Sequence, residues 1–362
     1  MVLNNIQNLR AIAAYSVVVY HCLIRFLHPG GLELSYIDML SGGVDLFFVI
    51  SGFVMVHTTK EDESGAWFMT KRVARIVPLY WCATALVLVM VYFRDWTFPG
   101  ALLTPQAIAS SFFFIPHFNA AGHLYPALGV GWTLNYEMMF YVLFALSMLL
   151  PARARLAGVV SLITVVFFAA TFAGPSVVHE FYGNPIVFEF AAGCIIAYAL
   201  RLKAVANFVR KTPMWPLAIG AVALLLLDVT FEPMSWGSAY RIGIPSVALV
   251  FAAAAQDMHR TRAPASLMTR LGDASYSAYL LHPIVIVAAV VVFDHLLGDG
   301  LANGIAVLVA TLVVTAIISL YSLRFFEKPT AKFVRGLAQG LGLKPPRSDL
   351  KAPQVLTPQP NP

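Results

Sequence analysis

The sequence predicts an all-α membrane protein, a polytopic bundle of about ten transmembrane helices with cytoplasmic N- and C-termini. Of its 362 residues, 59% are hydrophobic and only 12% are charged, whereas about 25% of the residues in a soluble domain are charged. Apolar runs of roughly 17 to 25 residues recur along the chain, which is the length that a helix needs to cross a hydrocarbon core about 30 Å thick. Strands of a transmembrane barrel would be shorter and would alternate apolar with polar residues.

The predicted spans are long apolar runs separated by short polar segments. A further apolar run at 101–116 is too short for a span and ends at a proline, so we expect it to be re-entrant or interfacial. The ten spans lie near residues 6–26, 42–58, 75–93, 129–150, 155–172, 185–200, 214–230, 241–255, 274–294 and 303–323.

The basic residues decide the predicted orientation. With a cytoplasmic N-terminus, most of the 24 lysine and arginine residues fall in cytoplasmic segments, as the positive-inside rule requires. An eleventh span at 101–116 would invert every later loop and place most of these charges outside, so we reject it. The basic residues lie beside the predicted spans. We therefore expect them to interact with the lipid bilayer, and we expect no nucleic acid as a partner of the protein.

We predict a membrane-embedded domain over residues 1–335 and a basic, proline-rich, disordered cytoplasmic tail over 336–362. No cleavable signal peptide is expected, because the segment before Arg10 carries no positive charge and no small-residue cleavage site follows. The three cysteines lie in predicted spans without metal-ligand or pairing spacing, so we predict neither a disulfide framework nor a metal site. The expected location is the inner (cytoplasmic) membrane, crossed several times.

Ionisable residues inside the spans mark the candidate site, because such residues are costly in hydrocarbon and normally face a protein interior or a wet cavity. Arg10 and His21 are eleven positions apart in the first span, which puts them on one helix face, roughly 16 Å apart along the axis. By the predicted topology, Asp45 and Glu137 lie in the same outer half of the membrane as His21, which could serve as a general base. The alternatives are a hydrogen-bonded core histidine, a helix cap for Asp45, and an interhelical hydrogen bond for Glu137.

Arg72 and Arg75 share one helix face at the predicted cytoplasmic surface, because they are three positions apart. Guanidinium groups suit phosphate oxygens, although anchoring by the positive-inside rule is the alternative. Three further ionisable residues have no visible partner in the sequence and are interpreted as structural polar contacts, namely Glu189, Asp228 and His282.

Six stretches in this order resemble the acyltransferase-3 family of membrane O-acyltransferases, and within it the short, single-domain exopolysaccharide O-acetyltransferases. They are NLRAIAAYSVVVYH, in which Arg10 and His21 have the family's R-x10-H spacing, GGVDLFFVISGFVM at 42–55, the Arg72/Arg75 pair followed by IVPLYW, GWTLNYEMMFY at 131–141, LGDASYSAYLLHP at 271–283, and FFEKP at 325–329. The family usually opens with a string such as D-G-L-R. This chain has Gln7-Asn8-Leu9-Arg10 instead, so the acid is missing.

The resemblance implies ten spans, acyl-CoA as the donor co-substrate, no permanently bound cofactor, and a carbohydrate hydroxyl as the acceptor. It also implies functional roles for Arg10, His21, Arg72, Arg75 and Glu137. On this basis we expect the three arginines to bind acyl-CoA and His21 to act as the base. An acetyl-histidine intermediate is the alternative.

The orienting partner of His21 is predicted to be Asp45 or Glu137. A transporter or flippase that uses the intramembrane charges as a proton relay, and a structural subunit of a polysaccharide-export complex, are the competing functions. The oligomeric state and the identity of the acceptor are left open.

Overall fold

The computed structural model describes residues 3–27, 37, 39–93, 103–231, 238–258, 264 and 266–346. All regular structure in this part of the chain is helical. The helices, in chain order, are α1 (Asn4–Leu27), α2 (Gly43–Thr58), α3 (Gly65–Phe93), α4 (Pro105–Phe112), α5 (Trp132–Ser147), α6 (Arg155–Thr171), α7 (Val177–Tyr182), α8 (Val187–Ala199), α9 (Lys203–Lys211), α10 (Trp215–Phe231), α11 (Ser238–Arg241), α12 (Gly243–Asp257), α13 (Leu267–Asp273), α14 (Ser275–Leu297), α15 (Leu301–Ser322) and α16 (Lys328–Gly340).

The all-α membrane fold is confirmed, and a helix occupies each of the ten predicted segments. Within the described ranges, seven helical stretches are long and apolar enough to cross a membrane. The pair formed by α9 and the first part of α10, bent by 88° between Lys211 and Trp215, would make an eighth. The protein is therefore a multi-pass membrane protein, while the number ten and the cytoplasmic position of both termini stay predictions.

Helix α1 packs against five other helices, α2, α12, α13, α14 and α15. Its first turn is held by Asp257 at the end of α12. The Asp257 carboxylate accepts hydrogen bonds from the backbone N–H groups of Asn5 and Ile6, at 2.9 and 3.1 Å. A carboxylate stabilises a helix at this end, because the first N–H groups have no partner within the helix and the dipole is positive there.

Helices α2 and α8 pack together so closely that glycine is required on both. An ideal Cβ at Gly52 would lie 2.1 Å from the carbonyl oxygen of Phe190, and one at Gly193 would lie 2.0 Å from that of Val49. Small residues of this kind let two membrane helices bring their backbones together. The contact holds α2 in place, and α2 forms one wall of the candidate site described below.

The segment predicted to be re-entrant or interfacial contains the short helix α4. Its eight residues are too few to cross a hydrocarbon core. The segment is attached to α3, since Tyr80 and Trp81 donate hydrogen bonds to the carbonyl oxygens of Ser111 and Phe112, at 2.7 and 2.8 Å. Residues 101 and 102 of the predicted segment lie outside the described residues.

The last described helix extends past the predicted boundary between the membrane-embedded domain and the tail, and that division of the chain stays a prediction. Helix α16 continues to Gly340, beyond the expected boundary at residue 335, because α16 packs against α3 and buries Ala338. Residues 347–362 lie outside the described residues, so the disordered tail stays a prediction for that part of the chain.

Candidate active site

An open pocket of about 770 Å³ lies between α1, α2, α3, α5 and α14. Three arginines from two helices and one glutamate line it, namely Arg10, Arg72, Arg75 and Glu137. Four of the six predicted site residues are therefore brought together. Hydroxyl groups supply most of the remaining polar lining, from Ser51, Thr133, Tyr141, Ser275, Tyr276 and Tyr279.

The charge of this pocket is strongly positive. Its lining carries three guanidinium groups against the single carboxylate of Glu137, and Arg10 and Arg75 are close enough to repel one another. The nearest side-chain partner recorded for Arg10 is neutral, since its Nη1 donates to Oε1 of Gln7 at 3.0 Å. Glu137, Glu327 and Asp273 attract Arg10 and offset part of this positive charge. Three guanidinium groups that converge in one pocket are nevertheless suited to an anionic ligand.

Arg72 is held in place by its neighbours while one donor remains available. Its Nη2 donates to Oγ1 of Thr58 at 3.1 Å, and its guanidinium lies 5.2 Å from the ring centre of Phe68 and 5.7 Å from that of Tyr141. Cation–π contacts of this kind fix the plane of the guanidinium. The buried Nε has no hydrogen-bond partner among the described residues, which leaves it free for a ligand oxygen.

Glu137 connects α5 to α2 at the wall of the pocket. Its Oε1 accepts hydrogen bonds from the hydroxyl of Tyr141 at 2.6 Å and from Oγ of Ser51 at 3.0 Å. Glu137 thus lies with the arginines, whereas the sequence suggested it as a partner of His21. The interhelical hydrogen bond weighed as the alternative is present, in a position that also lines the site.

A second acid, Glu327, interacts with the arginines from the far end of the chain. It is buried, accepts a hydrogen bond from Ser277, and attracts Arg10 and Arg75 electrostatically. It belongs to a π-helical turn over Leu323–Glu327, a distortion that often marks a functional position in a helix. In the sequence, Glu327 stands out only as part of the FFEKP string, because nothing in the local sequence shows that α15 ends beside α1.

His21 lies outside the arginine pocket and is stacked on a second histidine. The ring centres of His21 and His282 are 5.2 Å apart, with 29° between the ring planes. His282 is completely buried, and its Nδ1 lies 3.3 Å from the carbonyl oxygen of Ala278. A carbonyl oxygen can only accept, so this hydrogen bond requires the proton on Nδ1. Nε2 is then an unprotonated acceptor, and it has no partner within the part of the chain that the structure describes.

Tyr279 connects the histidine pair to the pocket. Its ring centre lies 5.9 Å from that of His282, one helical turn away on α14. The same side chain lines the arginine pocket, where its hydroxyl donates to the carbonyl oxygen of Val130 at 3.1 Å. The side chain of Tyr279 therefore contacts both the histidine pair and the arginine pocket.

Asp45 has a different partner from the one expected. It lies buried in the first turn of α2, on the face that packs against α8, and its side chain interacts with that of Glu189. His21 instead faces α14. The structure therefore does not pair Asp45 with His21 within the described residues, and Asp45 does not line the pocket. Its position near the helix start agrees with the capping alternative, and its catalytic role stays a prediction.

His282 is the functional candidate that sequence reasoning missed. It was interpreted as a structural contact because its partner, His21, is remote in the sequence. The available signal was the pair Tyr279 and His282 at i, i+3, which places an aromatic hydroxyl and an imidazole on one face of a membrane helix. Asp228, the remaining ionisable residue of the spans, has a side chain outside the described part of the structure.

A family model described as an acyltransferase domain matches residues 3–323, nearly the whole membrane-embedded part. The chain belongs to the acyltransferase-3 family. As a member of the acyltransferase-3 family it is a membrane O-acyltransferase, which favours an enzyme over the transporter and structural-subunit alternatives.

Several members of the acyltransferase-3 family are similar to this chain. The exopolysaccharide production protein ExoZ of Rhizobium meliloti is 34% identical over 254 residues, which cover 68% of this chain and 76% of ExoZ. Acyltransferase MdmB of Streptomyces mycarofaciens is 26% identical over an alignment that covers 78% of this chain and 79% of MdmB. The peptidoglycan O-acetyltransferase OatA of Listeria monocytogenes is 24% identical over 78% of this chain but only 49% of OatA. No solved structure gave a significant match.

Proposed function

We propose that this protein transfers an acetyl or other short acyl group from acyl-CoA to a hydroxyl group of a carbohydrate. The acceptor is an exopolysaccharide or its lipid-linked precursor, and the reaction takes place at the inner membrane. The observation that carries the proposal is the convergence of Arg10, Arg72 and Arg75 in one pocket beside the His21/His282 pair. The similarity to ExoZ, an exopolysaccharide production protein, supports this class of acceptor.

The arginine pocket binds the phosphate-bearing part of the donor. Three guanidinium groups neutralise phosphate charge and supply several donors in fixed directions. Glu137 and Tyr141 hold the wall of this pocket, and they limit the excess of positive charge when it is empty. The roughly 16 Å between Arg10 and His21 along α1 is comparable with the length of an extended pantetheine arm, so a donor held at the arginines can present its thioester to the histidine.

His21 transfers the proton in the proposed reaction. The acceptor hydroxyl oxygen attacks the thioester carbonyl carbon, and His21 takes the hydroxyl proton. The carbon–sulfur bond then breaks, and the proton passes to the sulfur of the departing coenzyme A. His282, with its proton on Nδ1, stacks on His21 and offers an unprotonated Nε2 in the dry interior. This stacking keeps the ring of His21 in position.

The proposal is tested on the surface glycans of cells. Mass spectrometry should find acetyl esters on glycans from cells that produce the wild-type protein, and none in cells that lack it or carry His21→Ala. His123→Ala, which changes an exposed histidine of the 113–128 loop, is the matched control and should keep the esters. Unchanged acetylation in cells without the protein would overturn the proposed function.

A further inference from the structure

A second basic pocket, of about 630 Å³, lies where four helices begin or end. It is lined by residues that follow α2, by residues that precede or begin α6, and by the last turns of α5 and α8. Its charged residues are Arg153, Arg155, Arg201 and Glu61. All of them lie in segments that the positive-inside rule assigns to the cytoplasmic surface.

Anchoring of the chain in the membrane does not explain this arrangement. Positive-inside anchoring requires basic residues near the cytoplasmic ends of spans, but it does not require them to converge. Three arginines from two separate loops share one concave space with a single carboxylate, that of Glu61. Like charges held together in this way are repulsive until an anion neutralises them.

Two of the three arginines are already oriented by the protein. Arg201 donates from Nη2 to the carbonyl oxygen of Val56 at 2.6 Å, and its guanidinium lies 5.2 Å from the ring centre of Tyr198. Arg155 donates from Nη2 to the carbonyl oxygen of Glu61 at 3.1 Å. These contacts satisfy only part of each guanidinium, which has five N–H donors. Both side chains are thus positioned before any ligand arrives.

Two polar groups of the pocket remain unused. Arg153 is exposed, and the structure records no hydrogen bond for its side chain within the described ranges. The hydroxyl of Thr59 is buried at the pocket wall and likewise lacks a hydrogen-bond partner among the described residues. A buried hydroxyl without a partner costs free energy, and a bound anion would accept its hydrogen bond.

This second pocket adjoins the arginine pocket of the active site. Arg72 of the first pocket donates to Thr58, the residue before Thr59 of the second. Tyr141 of the first and Phe144 of the second lie one turn apart on α5. A ligand with phosphate groups at more than one position could therefore contact both pockets at once.

We propose that the second pocket is a phosphate-binding site for the nucleotide end of the donor. The inference rests on the proposed function, since the ribose phosphate of an acyl-CoA is separated from the diphosphate that the first pocket would hold. Arg153 and Arg201 bind this ribose phosphate, and the hydroxyl of Thr59 donates to it. The head group of an anionic phospholipid carries the same phosphate chemistry, so the experiment must separate the two sources.

The test measures binding without any acyl transfer. The full-length protein is placed in phosphatidylcholine nanodiscs, and adenosine 3′,5′-bisphosphate and adenosine 5′-monophosphate are titrated by calorimetry. Arg153→Gln should weaken binding of the bisphosphate about tenfold, as expected for one charge-assisted contact, and leave the monophosphate unchanged. Arg210→Gln, an exposed arginine of α9 away from the pocket, is the matched control and should change neither. Arg153 holds no recorded contact, so both variants should unfold at the wild-type temperature.

Two further measurements complete the experiment: steady-state kinetics, and binding in nanodiscs of a different lipid composition. Arg153→Gln should raise the apparent KM for acetyl-CoA about tenfold with kcat kept, and should have little effect with the dephospho form of acetyl-CoA. If the variant differs from wild type only in nanodiscs that contain phosphatidylglycerol, and equally for both nucleotides, the phosphate is that of a lipid and the donor assignment is overturned. Equal affinities of wild type and variant in both lipids overturn the site altogether. Absence of acetyl transfer by the wild type would count against the proposed function, while the binding result would stand on its own.

Discussion

The tautomer of His282 is determined by Pro283, the residue that follows it. Pro283 has no N–H group, so the carbonyl of Tyr279 loses its partner in the helix, and Nδ1 of His282 can donate to the carbonyl groups of Ala278 and Tyr279. The Nε2 atom is thereby kept as an acceptor beside His21. A histidine and a proline next to each other in a membrane helix thus define one tautomer without any acidic partner.

We predict that His282→Gln lowers kcat about 100-fold, because His21 loses the ring that positions it and its general-base catalysis is worth at least this much, with little change in KM for acetyl-CoA. Glutamine keeps a hydrogen-bonding side chain of similar length but lacks the aromatic ring that stacks on His21. Steady-state kinetics of the purified protein check this. His179→Gln is the control, because Nδ1 of His179 also contacts backbone carbonyl groups but lies outside the site. A His282→Gln enzyme with a kcat within twofold of wild type would remove His282 from the mechanism.

Substitution of Tyr141 tests the proposed role of the arginine pocket in binding the donor. We predict that Tyr141→Phe raises the KM for acetyl-CoA about tenfold, because the hydrogen bond to Glu137 is lost while the ring beside Arg72 is kept. The control is Tyr92→Phe, whose side chain is 72% exposed. If Tyr141→Phe lowers kcat and leaves KM unchanged, the hydroxyl acts in the chemical step and this assignment is wrong.

At the scale of helices, the α2/α8 contact determines where the α2 wall of the site lies. Gly52 and Gly193 allow the two backbones to approach, and Ser51, the neighbour of Gly52, donates to Glu137. The buried Asp45 and Glu189 carboxyl groups meet at the start of the same pair of helices. The site therefore depends on a helix contact in which none of the arginines of the pocket takes part.

We predict that Gly193→Ala destabilises the protein by about 1–3 kcal/mol, the range for overpacking a close contact, and lowers its thermal unfolding midpoint. The new methyl group would overlap the carbonyl oxygen of Val49, at 2.0 Å, so the helices must separate. Gly220→Ala is the control, since nothing lies within 4 Å of the added Cβ, and it should be neutral or slightly stabilising. Thermal unfolding, monitored by size-exclusion chromatography, gives the unfolding midpoint of each variant. Equal midpoints would show that the helices are not in close contact.

Sequence reasoning located the helices but could not pair them. The span positions followed from the lengths of the apolar runs, because a membrane fixes how long a helix must be. Grouping Arg10 with Arg72 and Arg75 came from the family resemblance, since helical spacing relates residues only within one helix. For the same reason the pairs His21 with His282, and Asp45 with Glu189, were not predicted, because each depends on how helices far apart in the sequence pack.

At the scale of the whole molecule, the two basic pockets and the predicted orientation agree with one another. Both pockets draw their arginines from segments that the positive-inside rule places on the cytoplasmic side, where acyl-CoA is made. The histidine pair lies farther along α1, toward the opposite end of the helix. We infer a donor that enters from the cytoplasm and extends along α1 toward the histidines.

The most direct test is acyl transfer by the purified protein in proteoliposomes, with acetyl-CoA labelled in the acetyl group and a purified exopolysaccharide or its lipid-linked precursor as the acceptor. The account predicts alkali-labile label on the glycan with the wild-type protein, a raised KM for acetyl-CoA in Arg72→Ala, and no transfer in His21→Ala. Transfer by His21→Ala at the wild-type rate would contradict it.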